Sequence, residues 1–143
     1  MKTISVSKDF DEFPGLRNCS ISEKSGEEFY HEILNAEFKI ALENKDKLII
    51  DLDYTDGYAS SFLDEAFGNL VYDFHLKNVK KYIEIISLQE PHWKVMIEEK
   101  TYNQWEERRI KKEEPKVTKL HNPWYRLINN DLTKKVWVEP SIL

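Results

Sequence analysis

The segment "KLIIDLDY" (47–54), followed one residue later by "DGYASSFLDEAFGNL" (56–70), decides the fold. A short apolar run closing on acids reads as a buried strand. After it come a Gly-containing turn, two adjacent serines and a run with helical periodicity. Phe62, Ala66 and Leu70 form one stripe, with Leu63, Phe67, Val71 and Phe74 beside it, so the helix predicted over 61–75 is apolar on nearly two faces and should be heavily buried. A strand running directly into such a helix is the elementary unit of an α/β layer.

The flanking sequence repeats that unit. "TISV" near the start is a β-prone run, and Pro14-Gly15 marks a turn. Ser25 and Glu28 have capping-box spacing, and Phe29, Ile33, Leu34, Phe38 and Leu42 recur at helical steps, predicting a helix over 26–44. "KKYIEIISL" predicts another strand, and "EPHWKVMIEEKTYNQWEERRIKK" a final long helix with proline in its first turn. Strand and helix alternating through short connections favours an α/β sheet with right-handed crossovers. Beyond residue 112 the pattern changes. "HNPWYRLINNDLTKKVWVEP" holds two apolar runs around an Asn-Asn-Asp turn, which suits a hairpin or a coiled arm packed on the body. The expected division is a domain over 1–112 and a C-terminal extension over 113–143.

The chain has 143 residues, 41% hydrophobic and 33% charged, as expected of one globular domain rather than a disordered segment. No apolar run approaches a membrane span, the N-terminus lacks a signal-peptide core, and the single cysteine, Cys19, has no internal disulfide partner. These features predict a cytoplasmic protein without membrane contact. Net charge is −5: residues 1–97 carry 18 acids against 11 bases, and residues 98–143 carry 8 against 10. The one basic cluster, "RRIKK" at 108–112, is flanked by Glu106, Glu107, Glu113 and Glu114, so nucleic-acid binding is not expected.

The two serines have a structural and a functional reading. A serine at a helix start caps it by accepting a hydrogen bond from an orphan N–H. Ser61, followed by Asp64 and Glu65, fits the cap, leaving Ser60 free. A helix N-terminus also receives phosphate well, so both serines are phosphorylation candidates.

Asp51, Asp53 and Asp56 gather at the strand's carboxyl end, where α/β proteins place their sites. They are weak candidates for a divalent cation. His31, His75, His92 and His121 show no paired metal spacing, and no Gly-rich phosphate loop exists. Arg17 lies near Cys19, but a nucleophile also needs a base. No catalytic residue and no cofactor is expected. Trp93 and Trp105 fit the core, while Trp124 and Trp137 in the extension fit an interface.

"KDFDEFPGLRN", "SGEEFYHEIL", "LIIDLDYTDGYASSFLDEAFGNLV" and "YIEIISL", in this order, resemble a STAS-like domain family of unknown function found in bacteria and their mobile elements. The resemblance covers roughly residues 3–110. It implies a small mixed sheet with packed helices. That family is similar in turn to the STAS domains of anti-sigma-factor antagonists, cytoplasmic modules that bind a kinase of the histidine-kinase ATPase type. In those, a serine at the strand-to-helix junction is phosphorylated. The resemblance places Ser60 at that serine, with Ala59 where the antagonists have aspartate and Phe62 where they have glycine. The STAS-like family shows its own characteristic serine at Ser61.

The expectation is therefore a non-enzymatic regulatory module that binds another protein, an ATPase or a regulator in a bacterial, phage or defence system. The expected surface is Asp56, Tyr58, Ser60, Ser61, Asp64 and Glu65. Two alternatives remain: a cation-dependent enzyme or small-ligand domain at the acidic strand end, and a structural protein that forms a homodimer through the aromatic extension.

Overall fold

The computed structural model describes residues 1–139. The extension predicted over 113–143 is therefore described up to residue 139, and residues 140–143 lie outside the described residues. Three strands, β1 (Lys2–Ser5), β2 (Leu48–Asp51) and β3 (Ile83–Ile86), pair in parallel in the order β1-β2-β3. Parallel neighbours require a crossover. The first is helix α1, which spans 26–44 and carries one widened turn at Tyr30–Leu34. The second is α2 (Ser60–Phe74) followed by α3 (Leu76–Tyr82). Helix α4 covers 92–110, also with one widened turn at Ile97–Thr101. The mixed character expected of the sheet resolves into two sheets: the antiparallel pairing is confined to a hairpin of β4 (Trp124–Ile128) and β5 (Asp131–Lys135).

Ser25 caps α1 by accepting a 3.0 Å hydrogen bond from the Glu28 N–H. Glu28 does not close the reciprocal half of a capping box; its carboxylate reaches Lys119 and Cys19 instead. Helix α3 was not visible in the sequence. Lys80 and Lys81, read as the start of a strand, form its last turn, and His75, with φ of 74°, breaks it from α2.

Along the strands the register places Ile4, Ile50 and Ile85 in one row and Leu48 and Ile83 in another, all facing the helices and buried. Helix α2 is buried at every position from Phe62 to Phe74 except Asp64. Phe62 stacks on Phe29 of α1, and Phe74 packs against Phe38 with ring centroids 4.8 Å apart. Removing a side chain of this size from water contributes about 1.5–3 kcal/mol, so α2 is the axis of the core. Gly68 sits where α2 meets Trp105 of α4, and a β-carbon there would overlap the indole ring.

The extension packs on the body. His121 meets Glu27 of α1 at 2.7 Å, and the two side chains are 3% and 1% exposed. Asn35 exchanges two 2.9 Å hydrogen bonds with the Tyr125 backbone. Arg126 donates to Asp73 of α2, which also accepts from the Tyr30 hydroxyl. Each is a polar group buried with its partner in place, which removes the penalty of burying it alone.

Candidate functional site

The loops that follow β2 and β3 meet at the carboxyl end of the sheet, and the start of α2 rises beside them. Asp53 organises this end. Its two carboxylate oxygens accept the N–H groups of Leu88 and Gln89 at 3.1 and 2.9 Å, tying the turn after β3 to the turn after β2. The Asp53 N–H in turn donates to Asp51 at 2.9 Å. Both acids are thus engaged by backbone donors. Asp56 is exposed, and its N–H donates to the Glu12 carbonyl.

Tyr54 adopts φ of 69°, a left-handed conformation that costs a non-glycine residue on the order of 1 kcal/mol. It is held there by a 2.7 Å bond from its N–H to Gln89, and its side chain is 70% exposed. Leu88, on the facing turn, is 79% exposed. Gly57 follows at φ of 125°, which favours glycine. The Tyr58 hydroxyl then donates to the Leu52 carbonyl at 2.8 Å, and its ring meets Trp93 edge-on. Burial pushes the Tyr58 hydroxyl pKa upward, so it stays a donor. Gly57, Tyr58, Gln89 and Trp93 bound a hollow of about 210 Å³ whose polar lining includes Asp53, Asp56, Ser87 and Glu90.

The serine assignments change here. Ala59, in extended backbone, occupies the cap position and provides no side-chain hydrogen bond. Ser60 and Ser61 are the first two helical residues, so Ser61 is not the cap. Any of three consecutive residues, Ala59, Ser60 or Ser61, could begin the helix by local pattern alone, and the helix that buries Phe62 and Leu63 starts from the earliest. Ser60 is exposed and Ser61 half-buried. Ser60 borders a second depression, of about 230 Å³, together with Arg17, Asp64, Met96, Lys100 and Gln104.

Asp64 and Glu65 fall beyond the first turn and do not act on the helix end. Arg17 reaches them from the 11–24 loop, donating at 2.7 Å to Asp64 and 3.1 Å to Glu65. Burial alone would lower the Arg17 pKa, but the two carboxylates more than offset it and raise it. Glu65 is 4% exposed and bonded to Asn69, so it is an interior residue and not part of a contact surface. Burial raises its pKa against the pull of Asn69 and Arg17.

Trp124 is likewise interior: it is 6% exposed and packs edge-on against His31. Trp137 is half-buried, its indole N–H donating to the Val117 carbonyl at 3.4 Å. Of the expected surface, the structure gathers Asp56, Tyr58 and Ser60 at one end of the sheet and adds Tyr54, Leu88, Arg17 and Lys100. No sequence signal marked Tyr54 or Leu88, because their exposure follows from strain and turn geometry. Arg17 was visible only as a neighbour of Cys19.

The fold is a small parallel α/β domain whose loops gather at the carboxyl ends of its strands. The family model described as a STAS-like domain of unknown function matches residues 25–93, from the cap of α1 to Trp93 beside the hollow. Residues 25–93 are thus similar to that STAS-like family. No curated protein and no solved structure matches the chain. Among the described residues, no helix is long and apolar enough to cross a membrane.

Proposed function

We propose that the chain is a regulatory module that binds another protein through the carboxyl end of its sheet, with Ser60 as a phosphorylatable switch. The observation that carries this reading is the setting of Ser60: exposed, in the uncapped first turn of α2, and bordering one depression with Arg17 and Lys100. A phosphate there gains the free N–H groups of the helix start and two cations able to form charge-assisted hydrogen bonds. It would also compete with Asp64 for Arg17, altering the surface without unfolding the domain. The exposed Tyr54 and Leu88, on the turns after β2 and β3, supply apolar anchors of the kind that dominate interface energy.

The partner class comes from the resemblance to anti-sigma-factor antagonists: a histidine-kinase-type ATPase or a regulator in the bacterial cytoplasm. Ser60 is the position that resemblance marks.

The test is affinity capture from the native host, with mass spectrometry of the captured partner and of this chain. The partner's affinity for Ser60→Ala and Ser60→Asp is then measured. A recurring ATPase or regulator, phosphate on Ser60, and at least tenfold different affinities support the switch. A partner that binds both variants and the unmodified chain equally would remove it.

A further inference from the structure

Three metal-ligating side chains of different chemistry converge away from the surface described above. Cys19 Sγ, a Glu27 carboxylate oxygen and His121 Nε2 all lie within 4.8 Å of one another. They come from the 11–24 loop, the first turn of α1 and the extension, so no short motif announces them. His121 Nε2 is 2.7 Å from Glu27 and 4.0 Å from Cys19 Sγ. The thiol also donates to Glu28 at 3.2 Å.

A nucleophilic cysteine does not account for the cluster. A catalytic histidine turns one nitrogen to the nucleophile and the other to its orienting carboxylate. Here the same nitrogen faces both groups. A cation can use all three donors at once, because a coordinating thiol is deprotonated outright.

We propose that Cys19, Glu27 and His121 form a binding site for a zinc-class divalent cation that fastens the extension to the STAS-like body. Zinc holds sulfur at about 2.3 Å and nitrogen or carboxylate oxygen at about 2.0–2.2 Å, which sets tetrahedral donors roughly 3.3–3.7 Å apart. The Cys19–His121 separation is slightly wider than this and the Glu27–His121 separation slightly narrower. A shift of well under 1 Å in each satisfies both. A thiolate and one carboxylate balance the two charges of the ion, and the thiol proton leaves to solvent on binding. Glu28, beside the sulfur, or a water takes the fourth position.

The supporting shell is in place. Glu27 accepts from Thr118 through both its N–H, at 3.0 Å, and its hydroxyl, at 2.6 Å, and from the Cys19 N–H at 3.0 Å. Such contacts orient ligating carboxylates. His31 stacks on the His121 ring at 4.3 Å, and its Nδ1 is buried without a hydrogen-bond partner among the described residues.

The test uses the full chain without a histidine tag, freed of metal by chelator and titrated with zinc alone and then with cobalt alone. One equivalent of zinc should bind and raise the melting midpoint by about 5 °C or more at a hundredfold excess over Kd. Cobalt should give a thiolate-to-metal absorption band. Cys19→Ser should abolish that band, and His121→Gln should weaken zinc binding at least tenfold. The wild-type cobalt spectrum decides the matter even where a variant does not fold. Absence of both midpoint shift and thiolate band in the wild type, or binding unchanged in both variants, would overturn the site. Neither result depends on Ser60 or on an ATPase partner.

Discussion

Arg126 in the hairpin donates a 2.6 Å hydrogen bond from Nε to Asp73 in α2, a carboxylate only 1% exposed. Burial pushes the Asp73 carboxyl up to about 6 against the attraction of Arg126. Removing the cation leaves a buried acid uncompensated, a loss of about 3–5 kcal/mol. Arg126→Ala should show that loss in urea unfolding, and adding Asp73→Asn should restore a substantial part of it. A loss below about 1 kcal/mol would mean that the hairpin is dispensable to the core.

Gly68 is a packing requirement and not a hinge. In Gly68→Ala the new methyl meets the Trp105 indole, which is 2% exposed and has Arg108 stacked over it. Overpacking of this kind costs about 1–3 kcal/mol, although alanine is the better helix former. The melting midpoint should fall, and Trp105→Leu in the same chain should recover part of the drop.

Stability should decline on the acid side in two stages. His31 is buried against His121 and its pKa is lowered to about 3, by burial first and by the neighbouring imidazole second. Its depressed folded pKa supplies stability that is present above the unfolded value near 6.5 and lost as pH falls toward 3. Between pH 7 and 5 that amounts to about 2 kcal/mol. Glu27 is held at about 2: burial would raise it, but His121, Thr118 and backbone donors prevail. Its contribution is lost below pH 4.5. Urea unfolding at pH 7 and pH 5 should show the first stage, and His31→Phe should remove most of it.

Much of the architecture was legible in the sequence, for a definable reason. Each long element carries its own periodicity: Phe29 to Leu42 for α1, Phe62 to Phe74 for α2, and the apolar run ending at Asp51 for β2. The site was less legible. Ser60 and Ser61 are indistinguishable in sequence from a cap, because the helix start is chosen by packing of the following phenylalanine. Glu65 and Trp124 carry surface-like and interface-like identities, yet each is buried by a partner distant in the chain, Arg17 and His31 respectively. Cys19, Glu27 and His121 were passed over because their relation is entirely tertiary.

The acidic end of β2 should behave as a structural joint. Asp53→Ala removes two acceptors from the turn after β3, costing about 1–3 kcal/mol and loosening Tyr54 and Leu88. Magnesium or calcium at millimolar concentration should leave the wild-type melting midpoint unchanged. A cation-dependent rise that vanishes in Asp53→Ala would reinstate the acids as a metal site.

The pairings of Glu27 with His121 and of Asp73 with Arg126 impose an order on synthesis. Both acids leave the ribosome many tens of residues before the cation or imidazole that meets them. Until then the nascent body holds two acids with hydrogen-bond partners but without their counter-charges, which makes burying them in α1 and α2 costly. Closing such distant contacts costs chain entropy before it returns energy. The extension acts as the last-made clasp, and a chain that stalls before residue 121 lacks both the imidazole and the guanidinium that meet these acids.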